Sequence, residues 1–200
     1  REVMVREKLG VFIFPSTDAH NSEYVADHWK GREWISGFDG SAGVAVVTMH
    51  GAALWTDSRY FLAAEKQLGG TEFQLMKLKM PGTPTLAEWI GSQLDGNSEV
   101  GVDGTVNSYS FVENLISDLR HEGGITVRLN LDPLKFIWKD RPSIPNNKVV
   151  IQPLEYTGED TRSKITRIKS ELHKIYCDGM LVSALDDIAW ILNLRGTDVH

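Results

Sequence analysis

Cysteine is almost missing from this sequence: Cys177 is the only one. No internal disulfide can form, and a lone thiol suits a reducing compartment. There is no excess of basic charge either. Lys and Arg number 21 against 27 Asp and Glu, a net charge of -6, which argues against a nucleic-acid partner because phosphate binding needs a basic surface. No apolar run approaches the roughly 20 residues of a membrane helix, and the N-terminus lacks a charged segment followed by an apolar one. These absences predict a cytoplasmic protein with no membrane partner. The chain starts at Arg1 rather than Met, so a trimmed or processed start is expected. No G-x-S-x-G elbow and no H-E-x-x-H motif occurs.

What is present is an ordinary globular composition, 42% hydrophobic and 24% charged. "LGVFIF" (9–14) reads as a buried strand. "AGVAVVTMHGAALWTD" (42–57) reads as two antiparallel strands around the turn His50-Gly51. "DSRYFLAAEKQLGG" predicts a helix with Asp57 as N-cap, Phe61, Ala64 and Leu68 on one face, and Gly69-Gly70 as the stop. Strands are predicted over 72–78, in "EVGVD" and in "ITVRL". Between them lie two helices, with capping boxes expected at Thr85/Glu88 and at Ser110/Glu113. The second helix carries Phe111, Val112, Leu115, Ile116 and Leu119 on one face and ends at Gly123-Gly124. The alternation implies an α/β fold with a mixed β-sheet flanked by helices.

"KDRPSIPNNK" (139–148) is the best linker candidate, so two domains are expected, 1–145 and 146–200. After it come a strand "VVIQPL", a helix with Ile165, Ile168, Leu172 and Ile175 on one face, a strand "GMLVSAL" and an apolar helix "DDIAWILNL". This reads as one βαβ unit and part of the next. Roughly 55 residues of that kind rarely cover both faces of a parallel sheet, so the second domain is expected to be truncated at His200.

Three features carry candidate chemistry. "GFDGSAG" (37–43) spaces Gly37, Gly40 and Gly43 three apart, but a strand rather than a helix follows. A bend that needs glycine fits better than a phosphate cradle. "DAHNSEYVADH" (18–28) gathers Asp18, His20, Glu23, Asp27 and His28, residue types able to bind a metal but in no recognised spacing. Arg59 is the third. In the first turn of the predicted helix a cation opposes the helix dipole, so it is expected either to pair with Asp57 or Asp39 or to face something negative outside this sequence. Cys177 reads as a structural thiol, and the basic residues of "RSKITRIKSELHK" as a solvated helix face.

Six segments occur in an order that resembles one family: "FPSTDAHNSEY", "ISGFDGSAGVAVVT", "ALWTDSRYFLAAEKQL", "LKFIWKDRP", "LEYTGED" and "SALDDIAWILNLRGTDV". They are similar to the N-terminal part of the long, cytosolic type of Xaa-Pro aminopeptidase (aminopeptidase P). The resemblance implies two creatinase-like α/β domains followed by a pita-bread catalytic domain. That third domain would hold two manganese ions through two Asp, one His and two Glu, and none of those ligands is expected in this segment. It implies peptide substrates with proline in second position, from which the N-terminal residue is removed by two-metal hydrolysis, and a homodimer. It also implies a role for Arg59 of the D-x-R-Y-F motif in contacting the bound peptide, with Glu23 of the S-E-Y motif in support. This segment alone is then expected to be inactive. Two departures stand out: Ser58 occupies a position where the family commonly has glycine, and residues 28–33, "HWKGRE", differ from the mammalian type. The rival reading is a stand-alone, non-enzymatic creatinase-like module used for binding or assembly.

Overall fold

The computed structural model describes residues 1–94 and 98–198. The resemblance segment that ends at Val199 therefore runs one residue past the described chain. Two compact units are present, Arg1–Ser143 and Ile144–His200.

The first unit runs α1 (Glu2–Glu7), β1 (Val11–Phe14), a 3-10 turn (Asp27–Trp29), α2 (Gly31–Ser36), β2 (Val44–Thr48), β3 (Ala52–Thr56), α3 (Phe61–Leu68) and β4 (Phe73–Lys77). It continues with α4 (Leu86–Gln93), β5 (Glu99–Val102), α5 (Tyr109–His121), β6 (Thr126–Arg128) and α6 (Leu134–Ile137). The six strands form one sheet in the order β4-β3-β2-β1-β5-β6. β2 is antiparallel to β1 and β3, while β1–β5, β5–β6 and β3–β4 are parallel. The mixed, helix-flanked sheet expected from the alternating pattern is the observed one.

Strand periodicity explains the layers. Alternate side chains of a strand point to opposite faces. Val11 and Ile13 of β1 pack with Val46, Trp55, Val100 and Val102 against Trp89 and Ile90 of α4 and Val112, Leu115 and Leu119 of α5. Phe12 and Phe14 point the other way, onto Met4, Phe38, Ala45, Leu54, Ala64, Leu68 and Leu134. Because both faces are covered, all four residues of β1 are buried, and each fully buried large apolar side chain contributes about 1.5–3 kcal/mol. Trp55 meets Trp89 edge-on at 5.5 Å while its indole N–H donates to the Pro84 carbonyl at 3.0 Å.

Two helix starts differ from expectation. Thr85 and Glu88 make the reciprocal capping box, but the second box does not form at Ser110. Ser108, in extended conformation, caps α5 by accepting the Phe111 N–H; either serine suits a cap, and the one at the end of the loop takes it. Asp57 is not an N-cap. Tyr60 has non-helical dihedrals, the first helical bond runs from the Ala64 N–H to the Tyr60 carbonyl, and α3 starts at Phe61. Arg59 therefore sits in a turn before the helix, and the conflict with the helix dipole does not arise.

The second unit contains β7 (Val150–Ile151), α7 (Leu154–Thr157), α8 (Thr161–Lys174), α9 (Leu185–Leu192) and β8 (Leu194–Arg195). The expected parallel βαβ arrangement is not found. β7 pairs antiparallel with β8, and residues 179–185 form no strand. A strand needs a neighbour to satisfy its backbone, and the partner taken by β7 is β8. The Asp160 carboxylate caps α8 through the Ser163 N–H at 3.0 Å. Ile165, Ile168 and Leu172 are half-buried, but Ile175 lies past the helix end and is exposed. The fully buried residue of α8 is Lys164. Its ammonium donates to the Trp190 carbonyl at 2.8 Å and to Asn193 Oδ1 at 2.7 Å, and lies 4.4 Å over the Trp190 ring.

Candidate functional site

The pairing directions bring four loops to one end of the sheet. β1, β3 and β5 point the same way, so their carboxyl ends and the amino end of β2 lie together. In open α/β sheets this is the end where ligands bind. A cleft of about 500 Å³ opens here within the first unit. The loop after β1 contributes Thr17, Asn21, Ser22 and Glu23. The glycine-rich bend contributes Ser41, Ala42 and Gly43. Arg59 follows β3, and Asn107, Ser108 and Phe111 come from the entrance to α5. Both residues singled out by resemblance, Glu23 and Arg59, thus line one cleft.

Arg59 is exposed but oriented. Its Nε donates to Asp57 Oδ1 at 2.9 Å and its Nη2 to Asp57 Oδ2 at 2.7 Å, while its backbone N–H also donates to Oδ1 at 3.0 Å. This two-pronged pairing uses one edge of the guanidinium fork. Nη1 has no hydrogen-bond partner among the described residues. The Asp57 hydrogen bond holds the Arg59 pKa well above the ordinary arginine value, helped by the attraction of Asp57, Tyr60 and Glu23. The same bond holds the Asp57 carboxyl below the usual carboxylate range. Of the two carboxylates considered from sequence, Asp57 is the partner; Asp39 instead accepts from the Gln67 amide at 2.7 Å.

The glycine-rich segment is a bend into β2. Gly37 adopts the left-handed conformation, φ 74°, that ends α2. A Cβ on Gly40 would lie 2.3 Å from the Phe38 ring, and one on Gly43 would lie 2.8 Å from the Trp55 carbonyl oxygen. Left-handed backbone at Gly37 and close packing at Gly40 and Gly43 account for these glycines.

The acidic-histidine segment does not assemble into a metal site. Asp18 is 5% exposed, and its Oδ1 accepts the backbone N–H groups of His20 and Ser22, each at 2.9 Å. Burial pushes the Asp18 pKa up, but these bonds, the Ser22 hydroxyl and the charge of His20 together hold it below the ordinary value. Asp27 pairs with Lys30 at 2.6 Å, and His28 Nδ1 lies 2.6 Å from the Pro142 carbonyl. Among the described residues no group of three or more His, Cys, Asp or Glu could hold a metal ion.

Residues 1–127 match the creatinase/prolidase N-terminal domain profile, and residues 140–200 match a second profile of the same description. The chain belongs to the creatinase/prolidase N-terminal domain family. This creatinase-type chain is 44% identical over 200 residues to "Probable Xaa-Pro aminopeptidase P" of Paracoccidioides lutzii, and 44% identical over 203 residues to the protein of the same name in Fusarium vanettenii. All of this chain is matched, yet only 32% of each relative, so it spans about a third of their length. The X-prolyl aminopeptidase of Caenorhabditis elegans, described as a cytosolic enzyme with a di-nuclear active site, superposes with a TM-score of 0.83 and 34% identity, over 96% of this chain and 31% of that one. Among the described residues no helix is long and apolar enough to cross a membrane.

Several cleft residues were not legible in the sequence. Thr17 reaches across to the Val106 carbonyl, and Ser41 Oγ lies 2.7 Å from the Tyr60 hydroxyl. Ordinary Ser, Thr and Asn residues far apart in the chain give no signal until the strands are ordered.

Proposed function

We infer that this chain is the N-terminal region of a metal-dependent Xaa-Pro aminopeptidase, and that it shapes the peptide site. The observation that carries this is the meeting of Glu23 and Arg59 in one cleft at the carboxyl ends of the strands. The identity to proteins named Xaa-Pro aminopeptidase P supports the reaction class. Arg59 offers a free guanidinium edge to a peptide carbonyl or carboxylate, and Glu23 offers a carboxylate to a peptide amine. Asp57 keeps the guanidinium aimed without neutralising its remaining donors.

Among the described residues no three His, Cys, Asp or Glu side chains come together, so these residues do not fit the two manganese ions of such an enzyme. The ions therefore belong to the part of the protein outside this chain. Homodimer formation belongs to the same proposal and is read by ultracentrifugation of the full-length protein.

The test is the purified full-length protein with added manganese, assayed on peptides with and without proline at the second position. Release of the first residue from the proline peptides is expected. Arg59→Ala and Glu23→Gln should raise KM more than they lower kcat. Residues 1–200 alone should show no turnover. A full-length protein that leaves Xaa-Pro peptides intact, or turnover by residues 1–200 alone, ends the proposal.

A further inference from the structure

Arg32 of α2 is 6% exposed and forms no ion pair with a carboxylate among the described residues. Its Nη1 donates to the Phe38 carbonyl at 3.0 Å, its Nη2 donates to the Gly40 carbonyl, and its guanidinium lies 4.9 Å over the Phe38 ring. Among the described residues the Nε donor has no partner. Burial pulls its pKa below the ordinary arginine value, against the attraction of Glu33, Asp39 and Tyr60. A buried cation without a counter-charge is costly, and an apolar side chain of similar volume would commonly be as stable. Stability does not explain the choice of residue; geometry does.

A guanidinium is a rigid planar fork that can fix two acceptors at once. Here both acceptors belong to the bend that becomes the cleft wall at Ser41, Ala42 and Gly43. From that bend a line of contacts leads to Arg59. Phe38 meets the Tyr60 ring edge-on at 5.9 Å, the Ser41 hydroxyl bonds the Tyr60 hydroxyl, and the Arg59 guanidinium lies 5.2 Å over the Tyr60 ring.

We propose that Arg32 is a positioning residue: its buried guanidinium fixes the 38–41 bend and, through Ser41 and Tyr60, the place of Arg59 in the cleft. The kinetic part of this rests on the peptidase reading above; the structural part does not.

The test uses the full-length protein. Lysine at position 32 keeps the charge but concentrates its donors on one atom, so it cannot hold both carbonyls in one plane. In Arg32→Lys, amide exchange over 37–43 and 57–61 should speed up by about tenfold or more, with β1 and β5 unchanged. KM for an Xaa-Pro peptide should rise about three- to tenfold with kcat within about twofold. In an Arg59→Ala background the same change should add less than about twofold, since both act through one side chain. If Arg32→Lys does not fold, Tyr60→Phe removes the Ser41 contact on the exposed side and should raise KM in the same sense. Unchanged exchange over both segments overturns the proposal, as does an equal KM effect with and without Arg59. A wild-type protein inactive on Xaa-Pro peptides would sink the peptidase reading instead, leaving the exchange data to decide the role of Arg32.

Discussion

Replacing Gly43 by alanine should unseat the start of the β2–β3 pair. The position does not need glycine for its backbone dihedrals; it needs the absence of a Cβ. That Cβ would stand 2.8 Å from the Trp55 carbonyl oxygen, where ordinary contact begins at 3.4 Å. The obstructing atom is backbone in a strand whose five residues are all buried, in register with Val44, so no side-chain rotation relieves it. Gly43 is also held by the Ser16 hydroxyl on its carbonyl at 2.5 Å. Relief therefore needs a shift of roughly half an ångström in two paired strands, at a cost of about 1–3 kcal/mol. For a chain of this size that lowers the thermal midpoint by roughly 2–12 °C. Gly51→Ala is the control, because the nearest atom to its Cβ would be Thr48 Oγ1 at 4.0 Å; that variant should be neutral or more stable by up to about 1 kcal/mol. Thermal unfolding followed by tryptophan fluorescence and by circular dichroism reads both. A Gly43→Ala protein that melts within about 1 °C of wild type would show that the strand pair yields freely, and the steric argument would be wrong.

Asp18→Ala should lose about 1 kcal/mol near neutral pH, because the part-buried backbone N–H groups of His20 and Ser22 lose their acceptor. The Asp18 pKa is depressed in the folded state below the ordinary 3.8, so its charge-dependent stabilisation is present above that value and fades as pH falls through the folded one. Urea midpoints near pH 7 and near pH 2.5 should show the gap to wild type shrinking in acid; a constant gap would refute the linkage. Lys164→Met strips the Trp190 carbonyl and Asn193 Oδ1 of their donor and should cost about 1–3 kcal/mol. Hydrogen exchange should then quicken in α8 and α9 while the sheet of residues 1–143 is unaffected, and equal exchange in α8 and α9 would contradict this. In the full-length protein Asp57→Asn weakens the two-pronged hold on Arg59 and should raise KM on Xaa-Pro peptides with the thermal midpoint little changed. An unchanged KM would mean that Asp57 does not aim the guanidinium.

Much of the first unit was legible because its signals are local. Runs such as "VFIF" and "VAVV" have strand composition, Thr85 and Glu88 stand at capping-box spacing, and the face of α5 repeats at helical period. Local signals failed where two residues compete for one role. Ser108 and Ser110 both suit a cap, and the loop geometry chose Ser108. Asp57 suits a cap too, but its carboxylate went to Arg59, so the helix starts at Phe61. In the second unit "GMLVSAL" has strand composition without a strand beside it, and composition cannot supply the partner.

The sequence by itself determined the family, the six strands and the three longer helices (α3, α4 and α5) of residues 1–143, and the pair of residues, Glu23 and Arg59, worth following; the short α1, α2 and α6 and the 3-10 turn left no such signal. Only the tertiary structure decided that these two share a cleft, that Asp57 rather than Asp39 holds the arginine, and that Arg32 and Lys164 are buried cations whose hydrogen bonds go to neutral acceptors. The physical reason is range. Periodicity and capping act over a few residues and are written in the chain, whereas a cleft and the partners of a buried charge depend on strand order, which joins residues that are far apart in sequence.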